Sequence, residues 1–119
     1  MIKDLIILQK IYDMILYGHQ ALSKFPKTER YALASDIRTC MYGLLTSCIV
    51  VNKKYYKKTT MQEMDIQLDQ LRTLVRLAHD LRSNESGSPI LPFHAYEYWS
   101  SQLNEIGKLL GGWIKSTEK

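Results

Sequence analysis

Residues 60–78 read TMQEMDIQLDQLRTLVRLA, and their apolar side chains recur in alternating steps of three and four residues. This spacing places them along one side of an α-helix, as in the seam of a helical bundle. A capping box is predicted at its beginning, in which the Thr60 hydroxyl accepts a hydrogen bond from the Glu63 amide and the Glu63 carboxylate reaches back. We therefore predict a helix over residues 60–82, with a core side made of Met61, Met64, Leu68, Leu71, Val75 and Ala78.

Three further segments show the same periodicity. Pro26 disfavours helix at the residue before it and is tolerated as a first helical residue, so it separates a helix over 2–24 from one over 27–57. A fourth helix over 92–115 follows the polar loop Ser83–Pro92. The predicted core positions are Leu5, Leu8, Ile11, Tyr12, Ile15, Leu16 and Leu22 in the first helix, Leu33, Ile37, Cys40, Leu44, Cys48 and Val51 in the second, and Tyr96, Trp99, Leu103, Ile106, Leu110 and Trp113 in the fourth. Four helices with short connections predict an all-α fold, an antiparallel up-down four-helix bundle.

Length and composition narrow the class of protein. Because 119 residues are too few for two domains, residues 1–119 are expected to form one. The longest aliphatic run, Leu5–Leu8, is far below the roughly 20 residues of a membrane span, so no membrane partner is expected. Cys40 and Cys48 are about 12 Å apart on one helix, beyond the roughly 7 Å reach of a disulfide. A reduced, cytoplasmic location is the expectation.

Nothing in the sequence builds a catalytic or metal site. His79 lies beside Asp80, but no nucleophile or second carboxylate has a spacing that completes a site. The histidines are scattered and the chain has no Cys-x-x-Cys or paired Glu-x-x-His motif. We expect no enzyme activity and no cofactor, which leaves an enzymatic or cofactor-binding bundle as the weakest alternative.

Positive charge is concentrated in residues 27–58, which carry seven cations against two acids, a net +5 in a chain whose total is +4. Lys53, Lys54, Lys57 and Lys58 surround Tyr55 and Tyr56 at a predicted helix end. Lysines neutralise phosphates and tyrosines stack on exposed bases, so the run fits nucleic acid. It also fits a solvated helix terminus whose lysines complement the helix dipole.

Four arginines are further candidates for partner contacts. Arg30 and Arg38, eight residues apart on the predicted helix 27–57, extend a basic track, unless acidic neighbours pair with them. Arg72 and Arg76 are one helical turn apart beside the core side of helix 60–82. Local pairing with Asp69 and Asp80 is their alternative role, at a few tenths of a kcal/mol per pair.

Gly107, Gly111 and Gly112 interrupt the fourth helix, where each costs about 1 kcal/mol relative to alanine. Either the helix ends at Gly111, or the missing side chains let another backbone approach closely. The apolar period continues through the glycines, which favours close packing at an oligomer interface that includes Trp113. Trp99 and Trp113 are otherwise expected to be core or interface aromatics.

Three segments carry a family resemblance: Phe25–Tyr31 (FPKTERY), Leu71–Ala78 (LRTLVRLA) and Asn104–Lys115 (NEIGKLLGGWIK). In this order and spacing they resemble the accessory variability determinant (Avd) proteins of diversity-generating retroelements. The wider group includes four-helix-bundle proteins encoded in intervening sequences of bacterial 23S ribosomal RNA genes. The likeness covers essentially the whole chain, and the ending Glu-Ile-Gly-x-x-Leu-Gly-Gly-Trp is its most specific part.

The resemblance implies a non-catalytic bundle that assembles as a homopentameric ring or barrel with a basic surface. Such a protein binds the retroelement's reverse transcriptase and structured template RNA or RNA/DNA, and supports mutagenic cDNA synthesis during retrohoming. The family's arginine pair in the third helix makes Arg72 and Arg76 the first candidates for contact with polymerase or RNA. The alternative is a ribosomal-RNA-associated or purely structural protein of the intervening-sequence branch.

Overall fold

A computed structural model of the chain describes residues 2–117, with side chains from residue 5 onward. Within that range the fold is all-α, as predicted, and holds five helices: α1 (Ile2–Leu22), α2 (Lys27–Arg30), α3 (Leu33–Lys53), α4 (Lys58–Asp80) and α5 (Phe93–Thr117). Each of the four long helices packs against two others, α1 and α4 both lying against α3 and α5. The short connections make sequential long helices antiparallel, and the bundle measures 52 × 23 × 19 Å.

The predicted second helix, 27–57, is wrong as a single element. One turn, α2, follows Pro26, and the chain leaves helical geometry at Ala32, where φ is −116° and ψ is −101°. Phe25 is buried before α2 and Leu33 is buried after it, so the chain changes direction between two core contacts. At the other end α3 stops at Lys53, because Lys54 is extended.

The predicted capping box is also wrong. The amide of Met61 donates to the carbonyl of Lys57 at 2.9 Å, so helical hydrogen bonding begins before Thr60 and α4 starts at Lys58. Thr60 is buried in the first turn, where its Oγ1 accepts a hydrogen bond from Lys54 Nζ at 3.1 Å. Its hydroxyl is therefore used by a neighbouring lysine and not by a helix cap.

The predicted core sides of α3, α4 and α5 are confirmed, except that Cys40 and Tyr96 are only partly buried. Trp99 and Trp113 both lie in this core. The prediction for α1 is right in part: Ile11 and Leu22 are buried, whereas Leu5, Tyr12 and Leu16 are exposed. The buried side of α1 also includes Ile7, Met14, Gly18 and Ala21, while Leu8 and Ile15 are partly buried against it. α1 is apolar on several sides, so periodicity alone did not separate its buried positions from its exposed ones.

The loop between α4 and α5 closes one end of the core. Its turn needs Gly87 in the left-handed region, at φ +73°. The amides of Ile90 and Leu91 then donate to the carbonyls of Leu81 and Ala78, each at 2.9 Å. Ile90 and Leu91 are both buried, so a segment predicted as polar loop ends as part of the hydrophobic core.

Two further features concern membrane-spanning helices and the state of the cysteines. None of the helices within residues 2–117 is both long and apolar enough to cross a membrane. Cys40 and Cys48, both inside the described range, form no disulfide. Burial, and next the negative charge of Asp36, raises the pKa of the Cys40 thiol above its usual range. Cys40 is therefore a protonated, weakly reactive thiol at neutral pH.

Candidate nucleic-acid interface

The lysine–tyrosine corner, residues Lys53 to Lys58, joins α3 to α4 at one end of the bundle. Lys57 has a structural role there: its Nζ donates to the carbonyl oxygens of Val51 at 2.7 Å and Lys54 at 2.9 Å. These carbonyls belong to the last turn of α3 and its C-cap, where a cation is favoured by the helix dipole. The helix-terminus interpretation is therefore confirmed for Lys57, and Lys54 is engaged with Thr60.

Lys53, Lys58 and the two tyrosines form the open part of the corner. Tyr55 and Tyr56 are 88% and 84% exposed, and their rings meet edge to face at 4.9 Å between centroids. Lys53 and Lys58 are exposed at the adjoining helix ends. Two cations thus flank two aromatic rings that take no part in the core, an arrangement suited to phosphates and unpaired bases.

Arg30 and Arg38 do not continue this basic surface. They lie on two different helices, α2 and α3, on either side of the break at Ala32, which corrects the predicted single track. Arg38 is fifteen residues before Lys53 on α3, a rise of about 22 Å along the helix. The cations of residues 27–58 are therefore divided between the two ends of the bundle.

Arg72 crosses from α4 to α5. Its Nη1 donates to Asp69 Oδ1 at 3.2 Å, and its Nη2 donates to the carbonyl of Leu103 on α5 at 3.4 Å. Gly107 lies one turn beyond Leu103, and a Cβ at this position would overlap Arg72 Nη2. The missing side chain therefore opens the Leu103 carbonyl to the arginine. The close neighbour of Gly107 in the monomer is a side chain of its own chain and not another backbone.

The other residues of the glycine-rich ending have different environments. α5 continues through Gly111 and Gly112 to Thr117, so the alternative that the helix ends at Gly111 is wrong. Apart from the chain neighbours and the backbone of the same helix, no atom of the described residues lies within 4 Å of where a Cβ would stand at either glycine. Trp113 is buried in the monomer core, which leaves little of its ring for a partner. Gly111 and Gly112 therefore lie on an open surface of the monomer.

Arg76 is held far more loosely than Arg72. Its Nε is 3.6 Å from Asp80 Oδ2, and both side chains are largely exposed, at 73% and 58%. The predicted local pairing of both arginines is thus confirmed, and exposed pairs of this kind contribute only a few tenths of a kcal/mol. A cleft of about 310 Å³ separates α4 from α5 here; it is lined by Arg72, Thr73, Arg76, Tyr96, Ser100 and Asn104.

An aromatic cluster beside this cleft was missed from the sequence. The ring of His79 stacks on Tyr96 at 4.7 Å between centroids and 6° between planes. His79 Nδ1 is 3.0 Å from the Leu91 carbonyl oxygen, which can only accept, so Nδ1 donates. Phe93 lies at 5.8 Å from His79, tilted by 58°. We call Arg76, His79, Phe93 and Tyr96 the α4–α5 face. Tyr96 was assigned to the core from its spacing, and nothing local marks the other rings.

Two further features of the surface are its lack of a metal site and an ion pair between α1 and α5 among the described side chains. Among residues 5–117, no group of three or more histidine, cysteine or acidic side chains is arranged to hold a metal ion. Lys10 on α1 pairs with Glu105 on α5 at 3.0 Å, and this partner raises the pKa of Lys10. This ion pair is exposed to solvent, so it connects two helices at the surface and is not part of a site.

Comparison with known families decides which group of proteins the chain is part of. A family model described as bAvd-like matches residues 5–117. The chain belongs to the bAvd-like family. This confirms the resemblance to Avd proteins read from the sequence, and Avd-like proteins are in general non-catalytic accessory proteins of retroelements. Comparison with curated proteins gave no match.

The matched span includes both candidate interfaces of this bAvd-like protein. The lysine–tyrosine corner and the α4–α5 face lie inside residues 5–117. So does the loop after α4, whose buried Ile90 and Leu91 are core residues. The candidate interfaces therefore belong to the family domain itself and not to a segment added to it.

Proposed function

We propose that this bAvd-like protein is a cytoplasmic, non-catalytic accessory subunit of a diversity-generating retroelement. It binds the reverse transcriptase and the template RNA, and so supports mutagenic cDNA synthesis. The observation that supports this proposal most directly is the lysine–tyrosine corner of a chain that belongs to the family over residues 5–117. Its exposed Lys53, Lys58, Tyr55 and Tyr56 combine phosphate-neutralising and base-stacking groups.

Assembly increases the electrostatic attraction of the RNA. Each chain carries +4, so a homopentameric ring would carry five times this, +20. A field of that size concentrates a polyanion near the protein and speeds its association. It also makes binding depend steeply on salt, because every neutralised phosphate releases a counterion.

The first prediction concerns RNA affinity. The double variant Lys53→Gln/Lys58→Gln is expected to raise the Kd for structured RNA about tenfold and to reduce the slope of log K against log salt by about two, since two phosphate contacts are lost. Electrophoretic mobility or fluorescence anisotropy at several salt concentrations measures both quantities. Neither side chain has a structural hydrogen bond comparable to that of Lys57, so melting temperature is expected to stay unchanged.

A control with the same loss of charge separates local contact from net charge. Lys27→Gln/Lys108→Gln removes two exposed cations, one on α2 and one on α5, that belong neither to the corner nor to the α4–α5 face. If both double variants weaken binding equally, the corner is not the interface. If the wild-type protein ignores structured RNA even at low salt, the proposed function itself is wrong.

Genomic context tests the retroelement assignment independently of any binding assay. A neighbouring reverse-transcriptase gene with paired template and variable repeats is the expected arrangement. A reading frame inside a 23S ribosomal RNA gene would instead assign the protein to the intervening-sequence branch, and the proposed function would be wrong.

A second prediction concerns self-association. Gly111→Leu places a large side chain on a surface that is open in the monomer, so the monomer fold should persist. If Gly111 and Gly112 lie against a second copy, the variant falls from an assembly of about 70 kDa, five chains of 13.9 kDa, to a single chain in light scattering. An unchanged mass would show that these glycines are not at the interface.

A further inference from the structure

The α4–α5 face combines one exposed ring, Phe93, and two half-buried rings with an exposed cation, Arg76. Arg76 and His79 share one side of α4, while Phe93 and Tyr96 share one side of α5. The cleft beside them adds the Ser100 hydroxyl and the Asn104 amide. The region is therefore neither a purely apolar patch nor a purely charged one.

Two rings of this face, those of His79 and Tyr96, are held against each other. His79 is fixed by its hydrogen bond to the Leu91 carbonyl and by its nearly parallel stack on Tyr96. Phe93 completes the cluster and is 60% exposed, so a large part of its ring faces water. An exposed ring beside this restrained pair offers a free π face to an incoming flat group.

The two arginines have different tasks in this arrangement. Arg72 is held by Asp69 and the Leu103 carbonyl, so it adds positive potential but does not need to move. Arg76 pairs with Asp80 through Nε at 3.6 Å, and because this contact is long and exposed, the guanidinium can exchange it for a bidentate contact with an oxyanion. Asp69 and Asp80 reduce the local charge, so the face favours a ligand that also stacks over one that is only anionic.

The ligand that matches this face carries a phosphate and an uncovered planar base within one nucleotide. Paired RNA presents phosphates, but its base faces are covered by their neighbours in the helix. Unpaired RNA presents both groups. We propose that the α4–α5 face binds an unpaired segment of RNA, with Arg76 on a phosphate and the Phe93 ring stacked on a base. This inference rests on the proposed function in one respect, namely that the partner is RNA.

The test measures fluorescence anisotropy of a labelled ten-nucleotide oligoadenylate, alone and annealed to its complement. The wild-type protein is expected to bind the single strand more tightly than the duplex. Phe93→Leu keeps apolar volume but removes the π face, so it should raise the Kd for the single strand about tenfold and leave that for the duplex unchanged. Phe93→Trp should restore binding. Arg76→Gln should weaken both forms and reduce the salt slope by about one.

Controls make the result specific to this face. Tyr12→Ala removes another half-exposed ring, on α1, and should bind both RNAs like the wild type. If Phe93→Leu binds the single strand like the wild type while Lys53→Gln/Lys58→Gln loses RNA, this inference is wrong and the proposed function stands. If Phe93→Leu retains RNA but loses the reverse transcriptase, the face is a protein-docking surface and the inference is wrong. Absence of all RNA binding overturns both proposals.

Discussion

Replacing Trp99 with alanine is expected to lower the free energy of unfolding by about 3–5 kcal/mol, the usual range for a large buried aromatic. Trp99 is fully buried, and its indole lies against α1, with the Tyr17 ring at 6.3 Å and the backbone of Gly18 beside it. Removing the indole leaves a cavity that α1 and α5 cannot both close. Because domains of this size are stabilised by only about 5–15 kcal/mol, the variant should be close to unfolding.

Urea denaturation followed by circular dichroism measures this effect. Trp99→Phe should cost less, about 1–2 kcal/mol, because it keeps a ring in the cavity and removes an indole Nε1 that is buried with no hydrogen-bond partner among the described residues. The adjacent Tyr98, half exposed, is the matched control, and Tyr98→Ala should cost about 1 kcal/mol or less. A loss below about 1 kcal/mol for Trp99→Ala would contradict the packing of α5 on α1 described here.

Gly18→Ala is expected to destabilise the protein by about 2 kcal/mol, although alanine is the better helix former. An added Cβ would stand 2.6 Å from Met41 Sδ and 2.8 Å from Trp99 Cζ2. The thioether of Met41 can rotate away, but the indole is enclosed by the core, so α1 must shift. Overpacking of this kind costs about 1–3 kcal/mol, which exceeds the gain of up to about 1 kcal/mol in helix propensity.

The same substitution at Gly43 should have the opposite sign. A Cβ there would meet only Gln67 Nε2, at an ordinary contact distance of 3.5 Å. Gly43→Ala on α3 should therefore raise the free energy of unfolding by about 1 kcal/mol. Parallel denaturation curves compare the two variants, and a stabilising Gly18→Ala would show that α1 does not approach α3 and α5 as closely as the structure places it.

Sequence analysis placed the core side of α4 and α5 correctly because the apolar residues of each helix fall mainly on one side. In α4, the residues between Met61 and Ala78 that lie outside the core are polar, apart from Ile66, Leu74 and Leu77. The spacing of three and four residues therefore selects one core side in α4, and the same is true of α5. In α1 the run Leu5–Leu8 and the apolar residues that follow it lie all around the helix, so their spacing alone does not select the side that is buried. The side that is buried is chosen by Trp99 and Met41 approaching Gly18.

The candidate sites differ in the same way, because one is formed by neighbouring residues and the others by residues that are distant in sequence. The lysine–tyrosine corner is contiguous in sequence, so its composition alone identified it. The contact of Arg72 with the Leu103 carbonyl joins residues 31 positions apart, and the stack of His79 on Tyr96 joins two helices across a loop. No local spacing indicates such pairs. The split of Arg30 from Arg38 likewise follows from core contacts on both sides of Ala32.

By itself, then, the sequence determined the helical class, the sides of α3 to α5 that form the core, the cation-rich connection between α3 and α4, and the family. Tertiary structure alone decided which positions of α1 are buried, the restraint of Arg72 against Gly107, the split of Arg30 from Arg38 at Ala32, and the ring cluster beside Arg76. The physical reason is the distance along the chain over which each kind of interaction acts. Helix formation and charge density depend on neighbours within a few turns, whereas burial and side-chain pairing depend on where the other helices lie.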